Sequence, residues 1–239
     1  KLKKKQLEET MKLVRERKII EKERDKLTRE RLRIASKIRQ KTSSAIKRSQ
    51  YCPENMVTVN GRNFIASRDG NVPYEVTVKT ICVDIFEVTQ NKYQSIMGDN
   101  PSHFKGVPSR PVENVTWLQA KIFCQKKGKR LPTEWEWENA TGSQNSDIYY
   151  WGNKFNAEFA WFNGNSSSRT NPVGQKKANS IGLYDMVGNV WEWTDSGEDN
   201  IKYLRGGSWN SFASGMAISE RRRSDPSFKS STYGFRCVQ

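Results

Sequence analysis

The chain has 239 residues, with 41 Lys and Arg against 26 Asp and Glu, and a formal net charge of +15. That length holds one large domain, or a domain with an appendage. No run approaches the roughly 18 apolar residues of a spanning helix, and a single histidine, His103, argues against zinc sites and His-based acid–base catalysis.

The charge is unevenly placed. Residues 1–50 carry 19 Lys/Arg and 7 Asp/Glu, a net of +12, which leaves 22 and 19, a net of +3, for the rest. The near-neutral remainder gives no general argument for nucleic acid, so no specific nucleic-acid partner is expected. Residues 1–50 also lack Pro and Gly and are rich in Lys, Arg, Glu and Leu, all good helix formers. Leu13, Ile20, Leu27 and Ile34 recur at every seventh position, but Arg17, Arg24 and Arg31 occupy the partner positions that a two-stranded coiled coil wants apolar. The expectation is a long solvated helix with a narrow apolar stripe, about 60 Å for forty residues at 1.5 Å each. A stalk, weak self-association along the stripe, and a basic arm lying near a membrane or nucleic acid are the competing uses. The acids interleaved among the bases count against the last. The chain starts at Lys1 without Met, so it reads as a fragment or processed form whose targeting or lipid-attachment segment is not visible.

Cys52-Pro53 ends that pattern, and residues 51–239 read as a separate domain. Met56–Val59 and Glu75–Lys79 are short β-branched runs, expected as strands. A short helix is expected near Asn91–Met97. An amphipathic one follows over Thr116–Lys127, with Trp117, Leu118, Ala120, Ile122 and Phe123 apolar. Pro132-Thr133-Glu134 opens another, where Thr133 can cap and Glu136 stands at the capping-box spacing. His103, in a loop next to Pro101, reads as structural. After Thr141 the chain turns rich in Gly, Asn and Ser, a loop composition. Those loops nevertheless carry Trp151, Trp161, Phe162, Trp191, Trp193 and Trp209, so they read as packed irregular backbone and not as disorder. Four cysteines permit two disulfides and prove none.

Arg130-Leu-Pro-Thr-Glu-Trp-Glu-Trp-Glu138, Tyr150-Trp-Gly-Asn153, Asn171-Pro-Val-Gly174 and Gly182-Leu-Tyr-Asp-Met-Val-Gly-Asn-Val-Trp-Glu-Trp193 stand in that order, followed by Arg205-Gly-Gly-Ser-Trp209 and Gly234-Phe-Arg236. From about Cys52 to the C-terminus this resembles the formylglycine-generating enzyme (sulfatase-modifying factor) family. The resemblance implies an α+β, C-type-lectin-like domain with much irregular structure, here preceded by a long N-terminal α-helix. Oxidases of the family work through a cysteine shortly after the Gly-Gly-Ser motif and a second a few residues on. This sequence has no cysteine between Arg205 and Cys237. Asn and Ser cannot replace a thiolate as nucleophile or copper ligand, so the expectation is a non-enzyme with no required cofactor. By the same resemblance Cys124 and Cys237 form a disulfide, the alternative being two buried free thiols; Cys52 and Cys82 have no such support. Asp185, with backbone oxygens of Gly188 and Val190, matches a calcium site of the family. The alternative is that Asp185 and Asn189 only hydrogen-bond their turn.

The final segment is similar to another branch of the fold, the variable proteins of diversity-generating retroelements. In these binding proteins adenine-directed mutagenesis rewrites a C-terminal stretch, here about 205–237. Randomising both adenines of an AAC codon yields Asn, Ser, Phe, Ala, Gly, Ile, Thr, Tyr, Asp or Arg among others, never Glu, Lys, Met or Trp. Asn210, Ser211, Phe212, Ser214, Gly215, Ser227, Phe228, Ser230, Ser231 and Thr232 are allowed outcomes. With Tyr233 they form the expected ligand-binding face. Trp209, Met216, Glu220 and Lys229 are excluded outcomes and read as fixed scaffold, while Arg221–Arg223 either brace the surface or meet an acidic ligand. Small polar groups with aromatic anchors suit recognition, as in antibody paratopes. The expectation is a cell-surface or extracellular ligand-binding protein, lipid-anchored through the unseen segment, whose ligand is a protein or glycan on another surface. The competing readings are an oxidase lacking its cysteines and a degenerate sensory or carbohydrate-binding domain.

Overall fold

A computed structural model of the chain describes residues 11, 22–24, 26–37, 52–66, 74–143 and 147–239. It divides into two compact units, 1–51 and 52–239. In the first, residues 26–37 are helical, with Leu27 and Ile34 exposed. The Leu13, Ile20 and Arg17 positions of the heptad pattern lie outside the described residues.

The second unit opens with β1 (Met56–Val59), β2 (Arg62–Ala66), β3 (Tyr74–Val78) and β4 (Ile81–Asp84). β1 pairs antiparallel with β4, and β2 with β3. The C-terminus closes on β4: Cys82 and Gln239 exchange two backbone hydrogen bonds, and Val238 exchanges two more with Arg130. Three helices follow: α1 (Gln90–Met97), α2 (Trp117–Lys126) and α3 (Glu134–Ala140). Each begins where a threonine accepts a backbone N–H of the first turn: Thr89, Thr116 and Thr133. Thr133–Glu136 is a reciprocal capping box, as its spacing predicts, and Thr116–Gln119 is a second. α1 ends at Gly98 with φ 91°, the left-handed C-terminal turn that glycine adopts without a Cβ penalty.

A four-stranded sheet in the order β7-β6-β5-β8 carries the site: β5 (Trp191–Glu198), β6 (Ile201–Arg205), β7 (Arg221–Ser224) and β8 (Tyr233–Gly234). Composition alone does not announce it, because β7 is Arg-Arg-Arg-Ser and β8 only two residues. Its inner face and α1–α2 enclose Tyr93, Phe123, Leu131, Trp193, Leu204, Tyr233 and Phe235. Tyr93 stacks on Phe123 at 5.5 Å between ring centres, and Trp193 meets Tyr233 edge-on at 5.3 Å. Trp137, Leu183, Met186 and Val238 form an adjoining core under β1 and β4.

Between Thr141 and Trp191 the described chain is irregular but packed, as the aromatics in that polar stretch suggest. Trp151 is stacked between Tyr149 and Phe159, at 5.0 and 4.9 Å. Two buried arginines hold the sheet: Arg236 is hydrogen-bonded to both oxygens of Glu192, and Arg205 to Glu134 and Glu138. Cys124–Cys237 and Cys52–Cys82 are disulfides, so all four cysteines are paired. Such bridges persist outside the reducing cytoplasm. Among the described residues no helix is long and apolar enough to cross a membrane.

Candidate functional site

β6 ends at the buried Arg205, and the chain turns through Gly206 and Gly207 with φ 95° and 78°. A Cβ on Gly206 would lie 2.8 Å from Met186 O, and one on Gly207 2.9 Å from Met216 Cγ. Glycine is therefore required twice: the backbone is left-handed and the neighbours touch it. The turn places Trp209 at the junction of two segments. Its N–H donates to Asn189 O, its Nε1 to Ser231 O at 3.0 Å, and its ring meets Phe104 edge-on at 5.3 Å.

The first segment is Asn210–Met216. Asn210 and Ser214 are exposed, and Phe212 is 71 % exposed. Ser211 is half-buried; its hydroxyl accepts from the Ser208 N–H, and Ser208 Oγ donates to Asn210 Oδ1. The segment ends in a 3₁₀ turn, Ala213–Met216, pinned by the fully buried Met216 and by Tyr149, whose hydroxyl donates to Ala213 O. Gly215, unlike Gly207, has space: a Cβ there meets nothing within 4 Å. The second segment, Ser227–Ser231, is reached from β7. Ser227 and Phe228 are exposed and Ser230 and Ser231 half-buried. Asp225 accepts from the N–H and Oγ of Ser227, and Ser230 O accepts from Asn114 N–H.

Two residues expected on this face are not on it. Thr232 is 7 % exposed and Tyr233 2 %. Tyr233 pairs with Trp191 in β8 and packs its ring against Trp193, and Thr232 shares a hydrogen bond with Ser230 Oγ. Tyr233 enters the sheet with its ring turned inward, and Thr232 just before it is covered while its carbonyl accepts from Trp191 N–H. Of the residues read as fixed, Met216 is buried and Trp209 half-buried, whereas Glu220 and Lys229 are exposed. Trp191 and Trp193 are buried beneath the sheet. Arg221 braces, bonded to Glu134; Arg222 and Arg223 are exposed.

Phe104, and Glu113 behind it, are contributions that the sequence does not signal. Glu113 is fully buried, with Oε1 accepting from Phe104 N–H and Oε2 without a partner. Burial raises its pKa, opposed by the His103 and Phe104 amides.

Asp185 and Asn189 adopt left-handed backbone, φ 53° and 57°, around Gly188. Asp185 Oδ2 accepts from Gly174 N–H at 2.7 Å; its Oδ1 is buried and has no partner. Asn189 donates to Glu87, which also accepts from Val190 N–H. Burial pushes the Asp185 carboxyl up to about 6, with Gly174 and Arg236 pulling down. Glu87 is held well above the usual carboxylate range by burial, then by Asp185 and Glu192. The orphaned Oδ1 is what a cation would complete, with Gly188 and Val190 able to contribute only backbone oxygens. Among the described residues no group of three His, Cys, Asp or Glu side chains is placed to hold a metal.

Mixed helices and strands, a C-terminus folded back on β4 and long packed loops define a C-type-lectin-like domain. The chain matches the sulfatase-modifying factor enzyme 1-like domain over residues 41–239 and belongs to that family. It is similar to the solved structure of Treponema denticola variable protein 1, with a TM-score of 0.69 and 29 % identity over 77 % of this chain and 94 % of that one. The chaperone protein LppX of Paenibacillus barcinonensis is 30 % identical over 78 % of this chain and 89 % of its own length. The inactive C-alpha-formylglycine-generating enzyme 2 of Bos taurus is 39 % identical over 54 % of this chain and 50 % of its own length.

Proposed function

We propose that this protein binds a ligand through a diversified surface and catalyses no reaction on it. The observation that carries the reading is the partition around Trp209. Asn210, Phe212, Ser214, Ser227 and Phe228 reach solvent from backbone held by buried Met216, Tyr233, Arg205 and Arg236. A surface that can be rewritten must not carry the fold, and these side chains carry little of it. The likeness to a variable protein supports the same reading. Every thiol in the chain is bound in a disulfide, which leaves no thiolate for the oxidase chemistry. The partner would be a protein or glycan on another surface, and the disulfides favour display at the cell surface or outside the cell. Calcium belongs to the proposal as a structural ion, held by Asp185 and the Gly188 and Val190 carbonyls, where it would offset the buried carboxylates.

Replacing Asn210, Phe212, Ser214 and Phe228 together by other residues of the allowed set should leave Tm within about 2 °C, since exposed substitutions away from special features are nearly neutral. The same variants should change binding across a panel of cell-surface proteins and glycans. A loss of many degrees would mean that these residues hold the fold and would sink the reading. Formylglycine formed on a sulfatase-motif peptide with copper and oxygen would overturn the exclusion of catalysis.

A further inference from the structure

The second exposed segment adjoins a ledge of cationic and aromatic residues. Trp117, the first residue of α2, receives two ammonium groups on its ring: Lys121 Nζ at 4.5 Å and Lys202 Nζ at 4.6 Å from the ring centre. The two cations are therefore no more than about 9 Å apart, within roughly one Debye length at physiological salt. Lys121 has a counter-charge, Asp195, at 3.1 Å. Lys202 has none among the described residues. In the β6–β7 pairing Lys202 lies opposite Ser224 and Leu204 opposite Arg222, so Lys202 and Arg222 occupy the same sheet face. Arg222 is exposed, and its guanidinium lies 5.5 Å from the Tyr233 ring, which Phe228 meets edge-on at 5.8 Å. It too forms no ion pair among the described residues. The ledge joins the exposed segment directly, since Trp117 N–H donates to Pro226 O. Asp225, the acid in that turn, accepts from Ser227 and makes no ion pair with Lys202 or Arg222 among the described residues.

Ring stacking holds Lys202 and Arg222 in place, which lowers the entropy lost on pairing, yet leaves their charge uncompensated beside another cation. A carboxylate arriving from outside would relieve that repulsion. We infer that the ledge of Trp117, Lys202 and Arg222 is part of the binding surface and docks an acidic segment of a partner protein, with Phe228 and its neighbours adding contacts beside it. This deepens the binding-protein reading and rests on it for the position of the ledge at the face, not for the ledge's chemistry.

The test is binding of a synthetic Asp/Glu/Tyr peptide to the whole chain, followed by calorimetry and Trp fluorescence at low and high salt. The double variant Lys202→Glu/Arg222→Glu should weaken the peptide by about tenfold or more and flatten its salt dependence. Lys202→Arg/Arg222→Lys should retain it. Phe212→Ser and Phe228→Ser separate the two ideas: if they change nothing while the charge reversal abolishes binding, the ledge stands and the diversified-loop reading falls. Peptide binding that the charge reversal leaves unchanged overturns the ledge, as does an absence of saturable binding up to about 1 mM. Heparin or a single-stranded oligonucleotide that binds as tightly, with the same loss on reversal, overturns the assignment to an acidic protein.

Discussion

At the scale of the residue, Asp185 combines three conflicting demands: a left-handed backbone, full burial, and a carboxylate with one unpartnered oxygen. An unfolded Asp titrates near 3.9, and this one is raised to about 6. Between those values the folded chain holds a proton that the unfolded chain has released. Stability therefore falls as pH climbs through that window and stays reduced above it. Glu87, raised by the same burial, acts in the same direction. Asp185→Asn keeps an acceptor for Gly174 N–H and tolerates positive φ, so with a chelator present it should raise stability near neutral pH by up to the order of 2–3 kcal/mol, and Tm with it. Added calcium should stabilise the native chain and not the Asn variant. A lower Tm for the variant in chelator would show that the ionised carboxylate is net favourable; the absence of any calcium effect on the native chain would remove the ion from the proposal.

At the scale of the element, the loop from Arg205 to Met216 shows how a fixed frame and a changeable surface share one short stretch. Gly207 and Gly215 look alike in sequence and differ in space. Gly207 has φ 78°, and a side chain there would meet Met216, the buried pin of the 3₁₀ turn; Gly215 has φ −86° and open surroundings. Gly207→Ala should cost about 1–3 kcal/mol, while Gly215→Ser should change stability by less than about 0.5 kcal/mol, as urea denaturation would measure. Equal losses would mean that the turn needs flexibility at both positions. Two helices around this loop were legible in sequence: α3 because Thr133 and Glu136 three residues on act locally, and α2 from its apolar periodicity. The sheet that carries the loop was not. Arg221–Ser224 is a strand because Lys202–Arg205 offers it a hydrogen-bonding edge, which no property of its own residues announces.

At the scale of the whole molecule, the two disulfides close loops of very different size, with sequence separations of 113 and 30. In the chain-entropy account they contribute about 5 and about 3.5 kcal/mol, less any native strain. Paired Cys→Ser variants should therefore lower Tm in that order, Cys124/Cys237 more than Cys52/Cys82, measured by calorimetry under non-reducing conditions. The reverse order would show that the bridge to β4 secures more native structure than its loop length implies. Cys124–Cys237 also ties α2 to the residue following Arg236, so its loss should disturb the frame under the exposed segments before the N-terminal strands.

What the sequence determined by itself were the features set by local chemistry or by long ordered motifs: the capped helices, the composition break near Cys52, the resemblance that carries the fold, and the missing thiols. It also marked Asn210–Gly215 and Ser227–Thr232, with Tyr233, as small, polar and aromatic. Tertiary structure alone decided which of those side chains face water. Thr232 and Tyr233 share the composition of their neighbours, yet both are buried where the chain joins Trp191, Tyr233 by strand pairing and Thr232 through its carbonyl. Tertiary structure likewise paired Cys52 with Cys82, left Asp185 with a buried orphan oxygen, and gathered Lys202 and Arg222 around Trp117 and Tyr233. The reason is physical: composition records what a side chain can bond, while burial and counter-charge depend on which distant strands and loops the fold sets against it.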